Sequence, residues 1–181
     1  MESKVINLID EQVALGFTGK LNFLSHFSRQ YLGHILFKNG DVAQACFNKS
    51  NGMKALFQII LQEEAGNKFN LVLEPELVDE KERTIHKPFS ELKLMFTDLL
   101  STHRESIKFR PPENIKIVID AEFLEDSLPV TPQEFEVLKT LTEWSSPKDL
   151  YENCQLFEHE ITMALVSLRK KEGLKVVAVR N

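Results

Sequence analysis

Apolar and polar residues alternate with two different periods in the first 75 residues of the chain. A period near 3.6 predicts helices over 1–15 and 50–65, because each would carry its apolar side chains on one face. A period of two predicts half-buried strands over 17–27 and 68–75. The side chains expected to face the core from the first strand are Leu21 and Phe23, with Phe27 as a further candidate, and Phe69, Leu71 and Leu73 should share one face of the second strand.

A β-hairpin is predicted over residues 33–47, where Asn39-Gly40 separates two alternating runs. Asn-Gly adopts two positive φ angles at little cost, as a type I′ turn requires. We therefore expect a two-residue turn. One face of the hairpin should carry Ile35 and Phe37 on the first arm, with Val42 and Cys46 sharing a face of the second arm.

The character of the chain changes after residue 78. All five residues 79–83 are charged, and a helix is predicted over 88–104. The pair Pro111-Pro112 marks a break, and residues 115–120 form a short strand or an extended segment.

The last 50 residues predict a separate helical unit. Thr131 is placed to begin a helix, with Pro132 at the first position and Glu134 at the third, a capping-box arrangement. A second short helix should begin at Ser146-Pro147. A third should cover 157–171, followed after Gly173 by a terminal strand over 174–179. Three short helices followed by a strand are the outline of a winged-helix unit. The face of the first helix that should point inward carries Phe135, Leu138 and Leu141.

Together these elements predict an α+β protein in three parts. Residues 1–78 should form an N-terminal helix plus an antiparallel sheet layer with a β-hairpin, because that element order packs economically as helix on sheet. Residues 79–128 should form a charged, helical connector. Residues 129–181 should form the winged-helix-like unit.

Residues 7–75 also carry a pattern of small and polar residues at fixed places in these elements. A short apolar helix precedes a Thr-Gly strand start, a strand-turn-strand with glycine at the turn and alanine on the return arm, a helix opened by glycine and alanine, and a strand with phenylalanine. This pattern resembles the PATAN domain, the module named for the N-terminus of the PatA response regulator. The positions that carry the resemblance are Thr18, Gly19, Gly33, Asn39, Gly40, Ala45, Gly52, Ala55 and Phe69.

The resemblance implies a bacterial signal-transduction adaptor without catalysis of its own. Such adaptors act by protein–protein interaction in two-component, motility, polarity or small-GTPase circuits. The implied partner is accordingly a response regulator, a GTPase-linked protein or a motility component. This chain departs from the family pattern in having no receiver domain; the helical C-terminal unit stands in its place and is similar to tails found in such proteins.

Charge disfavours a function that depends on overall attraction to nucleic acid or to an anionic membrane. The 22 Lys and Arg residues are outnumbered by 27 Asp and Glu residues, for a net charge of −5. The sequence contains no run of about 18 apolar residues, so no membrane-spanning helix is expected. The acidic start has no apolar core of a signal peptide, so a cytoplasmic location without membrane insertion is expected.

No catalytic, cofactor or metal site is predicted. The five histidines are dispersed, and Glu158, His159 and Glu160 point about 100° apart on a helix, so they cannot converge on one metal. Ser25 and His26 would point to opposite faces of a strand and cannot act as nucleophile and base. Cys46 is expected to be a buried thiol. The turns at 39–40 and 50–52 lack the Lys-Ser/Thr of a phosphate loop.

A transcription regulator that binds DNA through the tail is the alternative. The basic cluster Arg169, Lys170 and Lys171 could contact phosphates, although Glu158 and Glu160 open the same helix and would repel them. A basic stripe on the folded tail would favour DNA, whereas an exposed apolar patch would favour a protein partner. Tyr31 and Phe47 are candidates for exposed anchors. The sequence identifies neither the partner nor the oligomeric state.

Overall fold

Each end of the chain has a hydrophobic core of its own in the computed structural model, which describes residues 3–125 and 129–178. The chain divides into two units, Met1–Leu100 and Ser101–Asn181. The connector predicted over 79–128 is shared between these units, and its residues 126–128 lie outside the described residues. The three-part division remains a prediction.

In its described residues the first unit places three helices around one antiparallel sheet, and a short strand at Ser50–Asn51 is added to the predicted order of helix, strand, hairpin, helix and strand. A single 3-10 turn at Glu80–Glu82 follows the last strand. The elements are α1 (Lys4–Ala14), β1 (Gly19–Ser25), β2 (Tyr31–Lys38), β3 (Asp41–Phe47), β4 (Ser50–Asn51), α2 (Gly52–Glu64), β5 (Phe69–Pro75) and α3 (Phe89–Ile107), of which α3 continues past Leu100.

The sheet of the first unit has the strand order β4-β3-β2-β1-β5, and each neighbouring pair is antiparallel. One face is buried because apolar side chains of β1, β2 and β3 alternate with polar ones and meet the apolar stripes of α1, α2 and the start of α3. The α+β class predicted from the sequence is therefore confirmed. The largest fully buried side chains of this core are Ile9, Leu21, Phe23, Ile35, Phe37, Leu56, Ile59, Ile60, Ile85, Leu92 and Phe96.

The hairpin turn has the two-residue form that the sequence predicts. Asn39 and Gly40 alone separate β2 from β3, and their φ angles are 51° and 83°. Thr18 fixes the turn from the side: its hydroxyl accepts the backbone N–H of Asn39 at 2.8 Å and donates to Asn39 Oδ1 at 3.3 Å. This contact explains why threonine stands immediately before the first strand.

An irregularity in the pairing of β2 with β3 changes which side chains of β3 reach the core. Val42 pairs with Phe37 and Gln44 pairs with Leu36, so Ala43 is an extra residue in β3. After this bulge the core-facing residues are Ala45 and Phe47. The predicted pairing of Val42 with Cys46 on one inward face is wrong, because the bulge turns Cys46 to the other face, where it is half-buried.

The extra residue also anchors the segment that follows β5. The backbone N–H groups of Thr84 and Ile85 both donate to the carbonyl oxygen of Ala43 at 2.9 Å. Val78 packs with Leu36 and Ala43 on the face of the sheet opposite the main core. The charged residues 79–83 are thereby held against the hairpin end of the sheet, where Lys38 and Glu80 form an ion pair at 2.7 Å.

Gly33 lies where two strands approach too closely for any side chain. A Cβ atom there would be 2.1 Å from the carbonyl oxygen of Cys46 and 2.7 Å from Cα of Phe47. Ala45 and Ala55 are fully buried where β3 meets α2. These positions of the predicted pattern therefore have structural roles.

The second unit combines short helices with a two-stranded sheet. The capping box of Thr131 and Glu134 and the cap at Ser146 are formed as predicted. The elements are β6 (Ile115–Ile119), α4 (Ala121–Glu125), α5 (Pro132–Leu141), α6 (Pro147–Asn153), α7 (Glu158–Lys170) and β7 (Leu174–Ala178).

The strand pair of this unit joins segments from either side of the helices. β7 pairs antiparallel with β6, which precedes α5, and the N–H of Ile117 in β6 bonds the carbonyl of Ser145 at 2.8 Å. The predicted helices and strand are thus present, while residue 179 of the predicted strand lies outside the described residues. The winged-helix likeness itself remains a prediction.

One side chain of α5 points the other way from its prediction. Phe135 is 60% exposed, whereas Val137 is fully buried. The buried stripe is Glu134, Val137, Leu138 and Leu141, the i, i+3, i+4, i+7 spacing of a helix. The acidic Glu134 occupies its first position because Lys171 neutralises it at 2.8 Å. Within residues 3–125 and 129–178, none of the helices is both long and apolar enough to cross a membrane.

Candidate protein-interaction site

A depression of about 520 Å³ opens at one end of the sheet in the first unit. It lies where β1 ends, β2 and β5 begin, and β3 ends, so four separate stretches of chain contribute to it. Phe47 and Phe69 line it together with Leu32. The remaining lining is polar and comes from the turns and from the C-terminal end of α2.

The two phenylalanine rings that line the depression pack against each other and against the buried ring of Phe23. The rings of Phe23, Phe47 and Phe69 pack edge to face, with centroid separations of 5.5 Å (Phe23–Phe69), 5.9 Å (Phe47–Phe69) and 6.5 Å (Phe23–Phe47). Such arrangements are the favoured geometry of aromatic pairs. Phe47 is 3% exposed, so its prediction as an exposed anchor is wrong: it belongs to the core, although it also lines the depression.

Phe27 stands at the lip of the depression with 94% of its surface exposed. β1 ends at Ser25, whose N–H bonds the carbonyl of Gln30 at 2.8 Å, and the chain turns through Arg29 at a φ of 54°. Phe27 therefore lies in a tight turn instead of on the strand. Its prediction as a core-facing residue is wrong because the strand ends two residues earlier.

Basic groups surround the depression, although the whole chain is acidic. Lys68 and His26 line it, and Arg29 and Lys49 lie in the adjoining turns and are exposed. None of the lining residues carries a carboxylate. An apolar surface with a basic rim is complementary to an apolar side chain flanked by acidic residues.

Amide side chains complete the polar part of the rim. Asn67 Nδ2 donates to Gln62 Oε1 at 2.6 Å, and Asn70 Nδ2 donates to the carbonyl of His26 at 3.3 Å. Asn48 has a φ of 51°, and its backbone N–H donates to the carbonyl of Leu32 at 2.8 Å. The rim is thus fixed by its own hydrogen bonds before any partner binds.

The serine, histidine and cysteine side chains of β1, β2 and β3 make contacts within the fold. The hydroxyl of Ser25 accepts the backbone N–H of Ser28 at 3.4 Å. Cys46 Sγ donates to Asn51 Oδ1 at 2.8 Å, and burial raises the pKa of the Cys46 thiol, which makes it a poorer nucleophile. His34 is hydrogen-bonded to Tyr31, and burial lowers the pKa of its imidazole. Tyr31 itself is 53% exposed, in keeping with its prediction as an exposed anchor.

The cluster at the start of α7 is dispersed as the helix geometry predicts. Glu158 pairs with Arg110 at 2.8 Å, and Glu160 accepts the backbone N–H of Phe157 at 2.8 Å. His159 is buried and lies edge-on to His103, with ring centroids 6.2 Å apart. Across the part of the chain that the structure describes, no group of three or more His, Cys, Asp or Glu side chains could hold a metal ion.

The basic cluster Arg169, Lys170 and Lys171, which would contact DNA in a transcription regulator, is divided in the structure between two environments. Arg169 and Lys170 are exposed at the end of α7. Lys171 instead donates to the carbonyl of Pro129 at 2.9 Å and to Glu134 at 2.8 Å. Burial by itself would raise the pKa of Glu134, but the hydrogen bonds from Lys171 and from the N–H of Thr131 outweigh it and lower the pKa to about 2.

Comparison with known proteins adds nothing to this geometry. No family model matches the sequence, and neither the curated proteins nor the solved structures gave a match. The PATAN resemblance therefore stays a prediction.

Proposed function

We propose that this chain is a non-catalytic adaptor of bacterial signal transduction that binds a protein partner through the phenylalanine-lined depression. The observation that supports this most directly is the exposure of Phe27 beside an apolar hollow. An exposed aromatic side chain next to an apolar hollow can act as an interface anchor, because residues that carry most of the binding energy are often aromatic and pack into pockets. The resemblance of residues 7–75 favours a partner from a two-component, motility, polarity or small-GTPase circuit.

The chemistry of the depression favours an acidic segment that carries an apolar side chain. The apolar side chain would rest on Phe47 and Phe69, and Phe27 would cover it from the side. Burying a phenylalanine side chain stabilises a complex by about 2 kcal/mol. Arg29, Lys49 and Lys68 would attract the acidic flanks and raise the association rate more than the affinity.

Site-specific photo-crosslinking tests the location of this interface. A benzoylphenylalanine residue placed at Phe27 should capture a partner in the native host, whereas the same residue at Leu15 should not. Leu15 is a matched control because it is also an exposed apolar residue of the first unit, 77% exposed at the end of α1. Equal capture at the two positions would contradict the proposed site.

Affinity measurements with the purified captured partner then test the mechanism. Phe27→Ala should weaken binding roughly 30-fold, the equivalent of about 2 kcal/mol, and Leu15→Ala should leave it unchanged. Arg29→Glu should slow association, with a smaller effect at high salt. Unchanged affinity of the Phe27→Ala variant would show that the anchor lies elsewhere.

A DNA titration distinguishes the transcription-regulator alternative. Labelled duplex at about 150 mM salt should show no saturable sub-micromolar binding. Such binding, lost on replacing Arg169 and Lys170 with alanine, would replace the adaptor proposal with a DNA-binding function. Lys171 is left unchanged in this test because its ion pair with buried Glu134 supports the fold.

A further inference from the structure

One edge of the sheet in the first unit is open. β5 is the last strand in the order β4-β3-β2-β1-β5, and no other strand of the described residues pairs with its outer side. It is a regular strand of seven residues, and Val72 and Leu73 are each more than one-third exposed. A regular open edge of this length can accept another strand.

The direction of the free backbone groups follows from the pairing of β1. The N–H of Ser25 points to the β2 side, because it donates to the carbonyl of Gln30, the residue that precedes β2, and backbone groups alternate sides along a strand. The even-numbered residues of β1 therefore bond β5, and their partners are Asn70, Val72 and Glu74. Consequently Leu71 and Leu73 direct their N–H and C=O groups away from the sheet.

We infer that β5 pairs with β5 of a second copy of this chain, antiparallel and centred on Val72, so that two sheets join into one. In this register Leu71 of each copy lies opposite Leu73 of the other, and the outward N–H and C=O groups of these two residues bond each other. Val72 meets Val72 of the second copy as the non-hydrogen-bonded pair at the centre, in which side chains lie closest.

The side chains on either side of Val72 match under the same two-fold symmetry. Lys68 of one copy lies opposite Glu76 of the other, and Asn70 lies opposite Glu74. Glu76 is about half exposed, although Lys20 pairs with it at 2.8 Å, so a second cation can reach it. The symmetry-related contacts repeat at both ends, as a closed two-fold interface requires.

This self-complementarity selects a second copy over an unrelated strand. Any strand can use the open backbone edge, but the pairing of Lys68 with Glu76 and of Leu71 with Leu73 arises only when β5 meets itself in this register. Pro75 ends the hydrogen-bonded ladder on both sides, because it has no N–H to extend it. The inferred contact therefore has a defined length and a defined centre.

Disulfide trapping tests the register directly. In a background of Cys46→Ser and Cys154→Ala, Val72→Cys should form an intermolecular disulfide with oxidised glutathione. The two Cα atoms of a non-hydrogen-bonded pair are about 4.5 Å apart, within the range for a disulfide. Glu74→Cys is the matched control on the same face, because the two residues 74 would be about 14 Å apart at 3.4 Å per residue. Equal trapping at both positions, or none at Val72→Cys, would overturn the inference.

Sedimentation equilibrium of the unmodified chain tests the free association. The protein should dimerise reversibly, and Lys68→Glu should raise the dimer dissociation constant about tenfold, since it places like charges opposite each other at both ends. Adding Glu76→Lys to that variant should restore dimerisation. Leu94→Lys, at a 68% exposed position on α3, should have no effect. A chain that stays monomeric at all concentrations, or a double variant that is not restored, would overturn the inference.

Discussion

The two units bury different kinds of polar side chains. Among the described residues of the first unit, the buried polar side chains are those of Gln12 and Asn22, both neutral. In the second unit they include Asp120, Glu134 and His159, all titratable. The stability of the first unit therefore depends mainly on how closely its strands and aromatic rings fit. The stability of the second also depends on whether its buried groups keep the charge state that the fold requires.

Compensation of the buried charges differs from group to group in the second unit. Glu134 is paired with Lys171, and Asp120 is paired with Lys175 at 2.6 Å, which lowers the pKa of Asp120. His159 has an opposite charge nearby in Glu160, but burial dominates and lowers the pKa of its imidazole. The fold thus keeps the two carboxylates ionised and the histidine neutral.

The largest effect is expected from Gly33→Ala in the first unit. The added Cβ would be 2.1 Å from a backbone oxygen, so β2 and β3 must separate, and we expect a loss of about 3 kcal/mol in the free energy of unfolding. Gly66→Ala is the control: no atom lies within 4 Å of its Cβ position, and only its φ of +90° opposes alanine, at about 1 kcal/mol. Urea denaturation measures both. Equal losses would show that strand proximity does not dominate the first unit.

Local residue identity is what made parts of this fold predictable. The turn at Asn39-Gly40 and the caps at Thr131 and Ser146 follow from short local sequence motifs, and all three are formed. The predictions for Phe27, Cys46 and Phe135 are wrong for a common reason. Tertiary contacts decide where a strand ends, where a bulge lies and which face of a helix is buried, and the hydrophobic periodicity of the sequence does not record those contacts.

The phenylalanine-lined depression could not be predicted from the sequence for a related reason. Its walls come from segments around 25–32, 47–48, 62 and 66–69, which the fold of the sheet brings to one end. One signal was present in the sequence: residues 23–34, 47–52 and 66–70 contain Arg29, Lys49 and Lys68 but no acidic residue. That signal has meaning only once the strand order places these segments side by side.

Glu134→Gln should give the next largest effect and should change the acid response of the chain. The variant keeps a hydrogen-bond acceptor for Thr131 but leaves Lys171 without its ion pair, and we expect a loss of about 2 kcal/mol at pH 7. Glu136→Gln, whose ion pair with Lys139 spans 3.5 Å, should cost no more than about 0.5 kcal/mol.

The pH dependence separates this charge effect from lost packing. The pKa of Glu134 is about 2 in the folded chain, against an ordinary value of 4.5, so the stability it contributes is complete above pH 4.5 and is lost as the pH falls toward 2. The difference in the free energy of unfolding between the native chain and Glu134→Gln should therefore shrink between pH 4.5 and pH 2. A gap that stays constant with pH would show that the carboxylate contributes no charge-dependent stability.

A smaller change is expected from His159→Phe, which keeps an aromatic ring stacked on Phe157. Burial lowers the pKa of His159 below its ordinary value of 6.5, so the unfolded chain binds the proton more tightly and stability falls as the pH drops below 6.5. The stability of the His159→Phe variant should therefore fall less than that of the native chain below pH 6.5. Its stability should match that of the native chain near pH 8 within about 1 kcal/mol.

His34→Phe provides the corresponding change in the first unit. Burial also lowers the pKa of His34, but this side chain is only half-buried, so it is less desolvated than the buried His159. Its contribution to the decline below pH 6.5 should be the smaller of the two. Hydrogen exchange of β1 and β7 at pH 5 and pH 8 checks the comparison, and greater acid sensitivity of β1 would reverse it.

The smallest effect is expected from Thr18→Ala at the hairpin turn. The hydroxyl of Thr18 is bonded to both the backbone and the side chain of Asn39 on an exposed surface, so we expect a loss of about 0.5–1 kcal/mol. Because neither group titrates, the loss should be the same at pH 4 and pH 8, in contrast to Glu134→Gln. Thr97→Ala removes a comparable exposed hydroxyl that only bonds back to the carbonyl of Lys93 within α3, and it should leave stability nearly unchanged. Chemical denaturation of both variants at the two pH values measures this. A pH-dependent loss for Thr18→Ala would show that the contact of Thr18 with Asn39 is coupled to a titrating group.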